Sequence, residues 1–282
     1  MMHTSRAQYS FNTLTILIAF FFSAFESKAF QSEIDFKVYH KETKEELIFY
    51  ADNNELMPVS VRVNVVYEGL IVKKAAADFE VVPGQSETFV LSRFEIPRKA
   101  GWSFSYNTIF VKGNIYAQHN DDYAYALPFQ NNTTYKLTQG YNGRFSHTNM
   151  NALDFTTPLG APIHASREGL VVEVFEKSKR GCNSPKCMDD ANYIRILHSD
   201  GTIASYSHLQ FKGALVEVSE TVERGQLIGK CGETGYASGP HLYFSVNKNT
   251  ETGTLTLPTK FLIAPNETGA LQEGKSYTAF EN

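Results

Sequence analysis

The chain has 282 residues, with 26 Lys and Arg against 30 Asp and Glu, for a formal net charge of −4 at pH 7. At 42% hydrophobic and 20% charged residues it is too apolar for a disordered chain. Its slight acidity excludes the broad basic face of a nucleic-acid binder.

The first 29 residues read as an export signal. Arg6 supplies a positive start, and Leu14 to Phe25 is an apolar run too short to span a bilayer. Ser27 and Ala29 are the small residues expected before a cleavage at Phe30. No later run is long enough for a transmembrane anchor, so the expected location is periplasmic or secreted.

Residues 30–128 read as a β-sandwich accessory domain. Val59, Val61, Val63 and Val65 alternate with Ser60, Arg62 and Asn64, the period of a half-buried strand. Comparable runs fall at 34–39, 47–50, 79–82, 88–94 and 103–111, punctuated by Asp52-Asn53-Asn54 and Pro83-Gly84. His40 and His119 are expected at the surface. The stretch 128–135 (PFQNNTTY) reads as a linker.

Residues 136–265 form a second strand-rich domain, followed by a tail over 266–282. Strands are expected at 169–176, 193–198, 202–208, 226–231 and 241–246, with Ser199-Asp200-Gly201 as a hairpin turn. The tail from Pro258 adds at most one or two more. Cys182 and Cys187 flank a short Asn-Ser-Pro loop, which in an oxidising compartment reads as a disulfide. Cys231 is then left as a small buried residue, although its pairing with either of the others is also open. His198, in HSDG, reads as a turn residue with local hydrogen bonds.

Three histidines stand in informative contexts: His147 in GRFSHTNMNALDF, His208 in SYSHL and His241 in SGPHLYFSV. On the last strand the period of two places Leu242, Phe244 and Val246 on a core face, and His241, Tyr243 and Ser245 on a polar one. These stretches, in this order, resemble the lysostaphin/LytM-type zinc metallopeptidases, which cleave peptide cross-links of bacterial peptidoglycan. The likeness covers roughly residues 136–250.

The resemblance implies an all-β chain in which an N-terminal β-sandwich precedes a lysostaphin/LytM-type β-sheet peptidase domain (duplicated hybrid motif). It makes His147 and Asp154 ligands of Zn2+, and His208 and His241 the catalytic histidines. The implied partners are peptidoglycan peptides. For an inactive member they would be peptidoglycan or another wall hydrolase that it regulates.

The chain departs from the family at the third ligand, where Tyr243 replaces His. A phenol with a pKa near 10 must lose a proton before it binds a metal, whereas imidazole is ready at neutral pH. Either Tyr243 binds as tyrosinate, or His164 supplies the nitrogen, or the metal is held weakly or lost.

Overall fold

The computed structural model describes residues 34–98 and 101–280. The expected export signal lies outside the described residues. Among these residues the chain is all-β apart from one 3-10 turn, Pro185–Asp190. No helix among them is long and apolar enough to cross a membrane.

The chain divides into two compact units. The first holds residues up to Asn54 together with Val61–Phe110. One of its sheets orders Phe36–Glu42, Glu46–Asn53, Ser86–Glu95 and Ile71–Lys74. The other orders Glu80–Val82, Val59–Glu68 and Ser103–Lys112. Leu47, Phe49, Leu91 and Phe94 from the one sheet and Val61, Val63 and Val82 from the other form a single apolar cluster. His40 is not the free surface residue expected from sequence. Its ring stands edge-on to Phe104 and Tyr106.

The second unit holds Val111–Asn282 and, from earlier in the chain, Glu55–Ser60. Met57 is buried in a small cluster with Val172 and Ile203. Ser60, expected on a wet face, is buried and donates to the Gly113 carbonyl at 2.7 Å. His119 is likewise no surface residue, lying 2.8 Å from Asp121 and 3.2 Å from the Tyr125 hydroxyl.

A long sheet carries this unit. Its path runs Thr221–Val222, Gly169–Phe175, Asn192–Leu197, Ile203–Ala214, His241–Thr250, Ala152–Thr156, Thr134–Gln139 and Ser276–Thr278. The core side is filled by Leu153, Phe155, Ile194, Ile196, Tyr206, Leu242, Phe244 and Val246. The alternation read along 241–246 therefore describes this strand correctly. Phe129, within the stretch read as a linker, is also buried in this core. Beyond Pro258 the chain makes three short strands, one more than expected: Lys260–Ala264, Glu267–Gly269 and Ser276–Thr278.

Cys182 and Cys187 are disulfide-bonded, and Cys231 is free and buried. The disulfide closes the loop carrying the 3-10 turn. That loop joins the strand pair Gly181–Cys182 and Gly235–Tyr236 through the Gly235 and Ala237 amides, which donate to the Arg180 and Cys182 carbonyls.

Candidate metal centre

Strand register assembles the site. Asp154 lies opposite Gln139 on one neighbour and Tyr243 on the other, and Tyr243 in turn lies opposite Ser207. Laterally paired residues project to the same face of a sheet, so Gln139, Asp154, Tyr243 and Ser207 form one row across it. His241, paired with Thr156, stands two residues from Tyr243 on that same face.

His208 arrives by a different device. Ser207 pairs with Tyr193 and Leu209 with Asn192, so His208 is an extra residue bulged out of the ladder. Its φ is +67°. A bulge of this kind re-aims a side chain, and a non-glycine residue in the left-handed region is costly to hold. Its carbonyl accepts from the Gly232 amide at 2.9 Å. A Cβ on Gly232 would lie 2.4 Å from the Gln210 nitrogen, so the bulge requires glycine there.

The loop between the Thr134–Gln139 and Ala152–Thr156 strands carries His147, which is 2% exposed. Gln139 organises this loop and the carboxylate together. Its amide nitrogen donates to Asp154 Oδ2 and Ser146 Oγ, both at 2.8 Å. Its oxygen accepts from the Phe145 and Ser146 amides at 3.0 and 3.1 Å. Nothing in the sequence singled out Gln139, and only its register opposite Asp154 reveals the role.

All three imidazoles are fixed the same way. Nδ1 of His147, His208 and His241 lies 3.1, 2.7 and 2.9 Å from the carbonyls of Gly140, Thr234 and Gly239. A carbonyl only accepts, so each Nδ1 carries a hydrogen and Nε2 is the nitrogen left to face the site. His147 Nε2 is 3.3 Å and His241 Nε2 is 3.9 Å from the same oxygen, Asp154 Oδ1. That oxygen is buried and receives no hydrogen bond. Two imidazole nitrogens thus converge on one carboxylate oxygen, an arrangement that can share either a proton or a cation.

Electrostatics follow from these positions. Burial alone would lower the His147 pKa, but the Asp154 carboxylate and the Gly140 carbonyl outweigh it and raise it. Burial, reinforced by the nearby His241, pushes His208 down to about 4. Their ring centres are 4.4 Å apart. Burial and then the Asp154 charge hold the Tyr243 phenol above its ordinary value, against the opposing effect of the Ser245 hydroxyl. Tyr243 stands edge-on to both His147 and His208.

These groups line or underlie an open groove of about 730 Å³. Arg144, Phe145, Tyr236, Ser238 and Glu273 form its rim and walls. Phe145 and Tyr236 have ring centres 5.7 Å apart.

Five residues named from sequence, His147, Asp154, His208, His241 and Tyr243, are thus brought together. Two other histidines are not. His164 is absent from the groove and bonds the Gly225 carbonyl at 2.7 Å. His198 is buried; its backbone closes the turn with Thr202 and Gly201, as read from sequence, while its side chain reaches the distant Glu168 carbonyl at 2.8 Å.

Residues 148–254 match the model of peptidase family M23. The match contains Asp154, His208, His241 and Tyr243 and begins one residue after His147. Peptidoglycan DD-endopeptidase ShyC of Vibrio cholerae is 38% identical over 104 residues, covering 35% of this chain and 21% of that protein. Lysostaphin of Staphylococcus staphylolyticus is 32% identical over 106 residues, covering 37% of this chain and 19% of that protein. The solved catalytic domain of lysostaphin from Staphylococcus simulans is 27% identical at a TM-score of 0.33, covering 44% of this chain and 87% of that one. The chain spans about a fifth of the length of these two curated relatives. The matched stretch lies within the second unit, and the family it resembles is one of zinc peptidases.

The donor chemistry suits such an ion in part. A tetrahedral zinc with bonds of about 2.0 Å separates its donor atoms by about 3.3 Å. His147 Nε2 and Asp154 Oδ1 have that spacing. Among the described residues no three His, Cys, Asp or Glu side chains form a complete cage. The position that the family fills with a third imidazole holds the un-ionised phenol of Tyr243.

Proposed function

We propose that this chain is an exported, cell-wall metalloendopeptidase that hydrolyses peptide cross-links of peptidoglycan, acting in the periplasm or outside the cell. The observation that carries this reading is the buried Asp154 Oδ1, faced by the Nε2 atoms of two imidazoles on the floor of an open groove. The names of the curated relatives, peptidoglycan DD-endopeptidases and lysostaphin, support the substrate class.

His147 and Asp154 would hold the zinc ion. When bound, it polarises a peptide carbonyl and lowers the pKa of water. The chain's own groups do the remainder. Gln139 keeps Asp154 Oδ2 occupied, so that Oδ1 is left for the metal. His208 is neutral at pH 7, and its Nδ1 is committed to the Thr234 carbonyl. Nε2 is therefore the atom that takes a proton from the attacking water and returns it to the leaving amine. The walls formed by Phe145 and Tyr236 grip an extended peptide over the floor.

Purified peptidoglycan digested with the zinc-loaded protein should release uncross-linked muropeptides, seen by chromatography with mass detection. Asp154→Asn and His208→Asn should abolish this, as should a chelator. A folded, zinc-loaded protein that leaves every cross-link intact would sink the reading. The un-ionised phenol of Tyr243 favours one alternative, an inactive member whose groove binds wall peptides or regulates another wall hydrolase. Sedimentation with insoluble peptidoglycan, without any release of fragments, is its signature.

A further inference from the structure

The family match ends at residue 254, yet the tail beyond it is built into the groove. Ser276–Thr278 pairs antiparallel with Thr134–Gln139, setting Ser276 opposite Lys136 and Thr278 opposite Thr134. Leu271 and Ala279, at either end of this run, are buried in the core of the unit. Between them the Gly274 amide donates to the Leu137 carbonyl at 2.8 Å, and the Lys275 carbonyl accepts from the Leu137 amide at 2.9 Å. Gly274 has a φ of +86°, where a side chain would be strained, so the turn beside Glu273 favours glycine.

That fixed run sets Glu273 in the groove wall. Glu273 Oε2 accepts from the Gly140 amide at 3.0 Å. Its other oxygen has no hydrogen-bond partner among the described residues, and no ion pair neutralises the carboxylate. Asp154, the other carboxylate lining the groove, is already engaged by Gln139 and faced by imidazoles. Arg144 is the single Lys or Arg lining the groove among the described residues, and it does not pair with Glu273. Glu273 is thus the free anion of the groove. A carboxylate anchored by one oxygen loses little side-chain freedom when the other oxygen takes a ligand. The partner that answers both its charge and its open acceptor is an ammonium group, a cation with three N–H donors.

We infer that Glu273 is a specificity-determining residue, whose open oxygen takes the ammonium of a wall peptide in the groove and so selects strands bearing a free amine beside the cross-link. This rests on reading the groove as a wall-peptide site, but it concerns peptide affinity alone.

The test is peptide affinity of the full mature chain, read as Kd from NMR titrations. Two blocked synthetic peptides serve as probes. Each carries a side-chain cross-link to alanine in which a ketomethylene replaces the scissile amide, so neither can be cut. They differ in one α-amine, free in the first and acetylated in the second. The natural protein should bind the free amine about five- to tenfold more tightly. In Glu273→Gln that preference should vanish, with the acetylated peptide bound within about twofold of its natural affinity. Glutamine still offers an oxygen to the Gly140 amide, so the loop whose Gly140 carbonyl holds His147 stays in place. Should the variant fail to fold, the natural protein answers through salt, which should shrink the preference by screening it. Equal affinity for the two peptides, a preference that survives in Glu273→Gln, or one indifferent to salt would overturn the inference. Binding of neither peptide would refute it together with the reading of the groove. Selective binding by a protein that leaves peptidoglycan uncut would refute the hydrolytic function and leave Glu273 in its role.

Discussion

Replacing Gln139 by Leu removes the donor on Asp154 Oδ2 and the acceptor for the Phe145 and Ser146 amides at once. Supporting partners of metal ligands typically cost about 10–100-fold in affinity when lost. Chelator competition should therefore show zinc binding weakened by one to two orders of magnitude in Gln139→Leu. Calorimetry should show a melting temperature several degrees lower, because two loop amides lose their partner.

His198 supplies a second prediction at the same scale, away from the groove. Burial, aided by the Arg167 charge, depresses its pKa from 6.5 to about 4 against the Glu168 carbonyl. The unfolded state thus binds the proton more readily than the folded one. The contribution is fully present above pH 6.5 and is lost as the pH falls toward 4. One such shift is worth about 3 kcal/mol across that window. His198→Phe gives up a hydrogen bond, costing about 1 kcal/mol at pH 7. Its stability should nevertheless decline less steeply than the natural protein's in urea titrations run from neutral to acid pH. The sequence reading of His198 as a turn residue holds for its backbone, whereas the side chain's partner, thirty residues away, leaves no local trace.

At the scale of elements, sequence and structure part company where periodicity fails. Val59–Glu68 and His241–Thr250 advertise themselves by alternating apolar and polar residue types, although Ser60 and Ser245 are buried. Ala152–Thr156 carries Asp154, and its alternation of Leu153 and Phe155 with Asp154 and Thr156 is too short to mark a strand by itself. The His208 bulge is silent for another reason. An inserted residue is defined by its partner strand, and the partner's register cannot be read from SYSHL. The site residues were legible through motif order; the geometry that converges them was not.

The loop closed by Cys182 and Cys187 buttresses the wall that bears Tyr236, because its backbone bonds the Gly235–Tyr236 strand directly. Closing so short a loop is worth about 2 kcal/mol of chain entropy. The Cys182→Ser, Cys187→Ser double variant should lose about that much stability in chemical denaturation. Its zinc affinity should be unchanged, since His147 and Asp154 lie outside the loop. Affinity for a cross-link peptide should fall severalfold, read by calorimetric titration.

At the scale of the whole molecule, the division into two units does not follow a single cut in the chain. Glu55–Ser60 belongs to the second unit, although residues on both sides of it belong to the first. Met57 is 2% exposed and packs with Val172 and Ile203. Lys112 ties the same segment down by pairing with Glu55 at 2.9 Å and Glu173 at 3.0 Å. Truncating a buried Met to Ala costs about 2–5 kcal/mol. In differential scanning calorimetry, Met57→Ala should lower the transition of the unit that carries the groove. A fragment starting at residue 111 should melt lower still, lacking the whole segment.

The detour of Glu55–Ser60 also sets an order of events as the chain emerges N-terminus first, from the ribosome or across an export channel. Chains grow from the N-terminus at roughly 5–20 residues per second, and domains tend to fold as they emerge. The first unit is complete once residue 110 is out, yet Met57 must wait until Val172 and Ile203 have been made. For the time it takes to synthesise about ninety more residues, the nascent chain displays an apolar side chain and its flanking backbone with nothing to cover them. That interval is when a chaperone or a translocation factor would find a handle on this protein, and it closes only when the groove-bearing unit has been built.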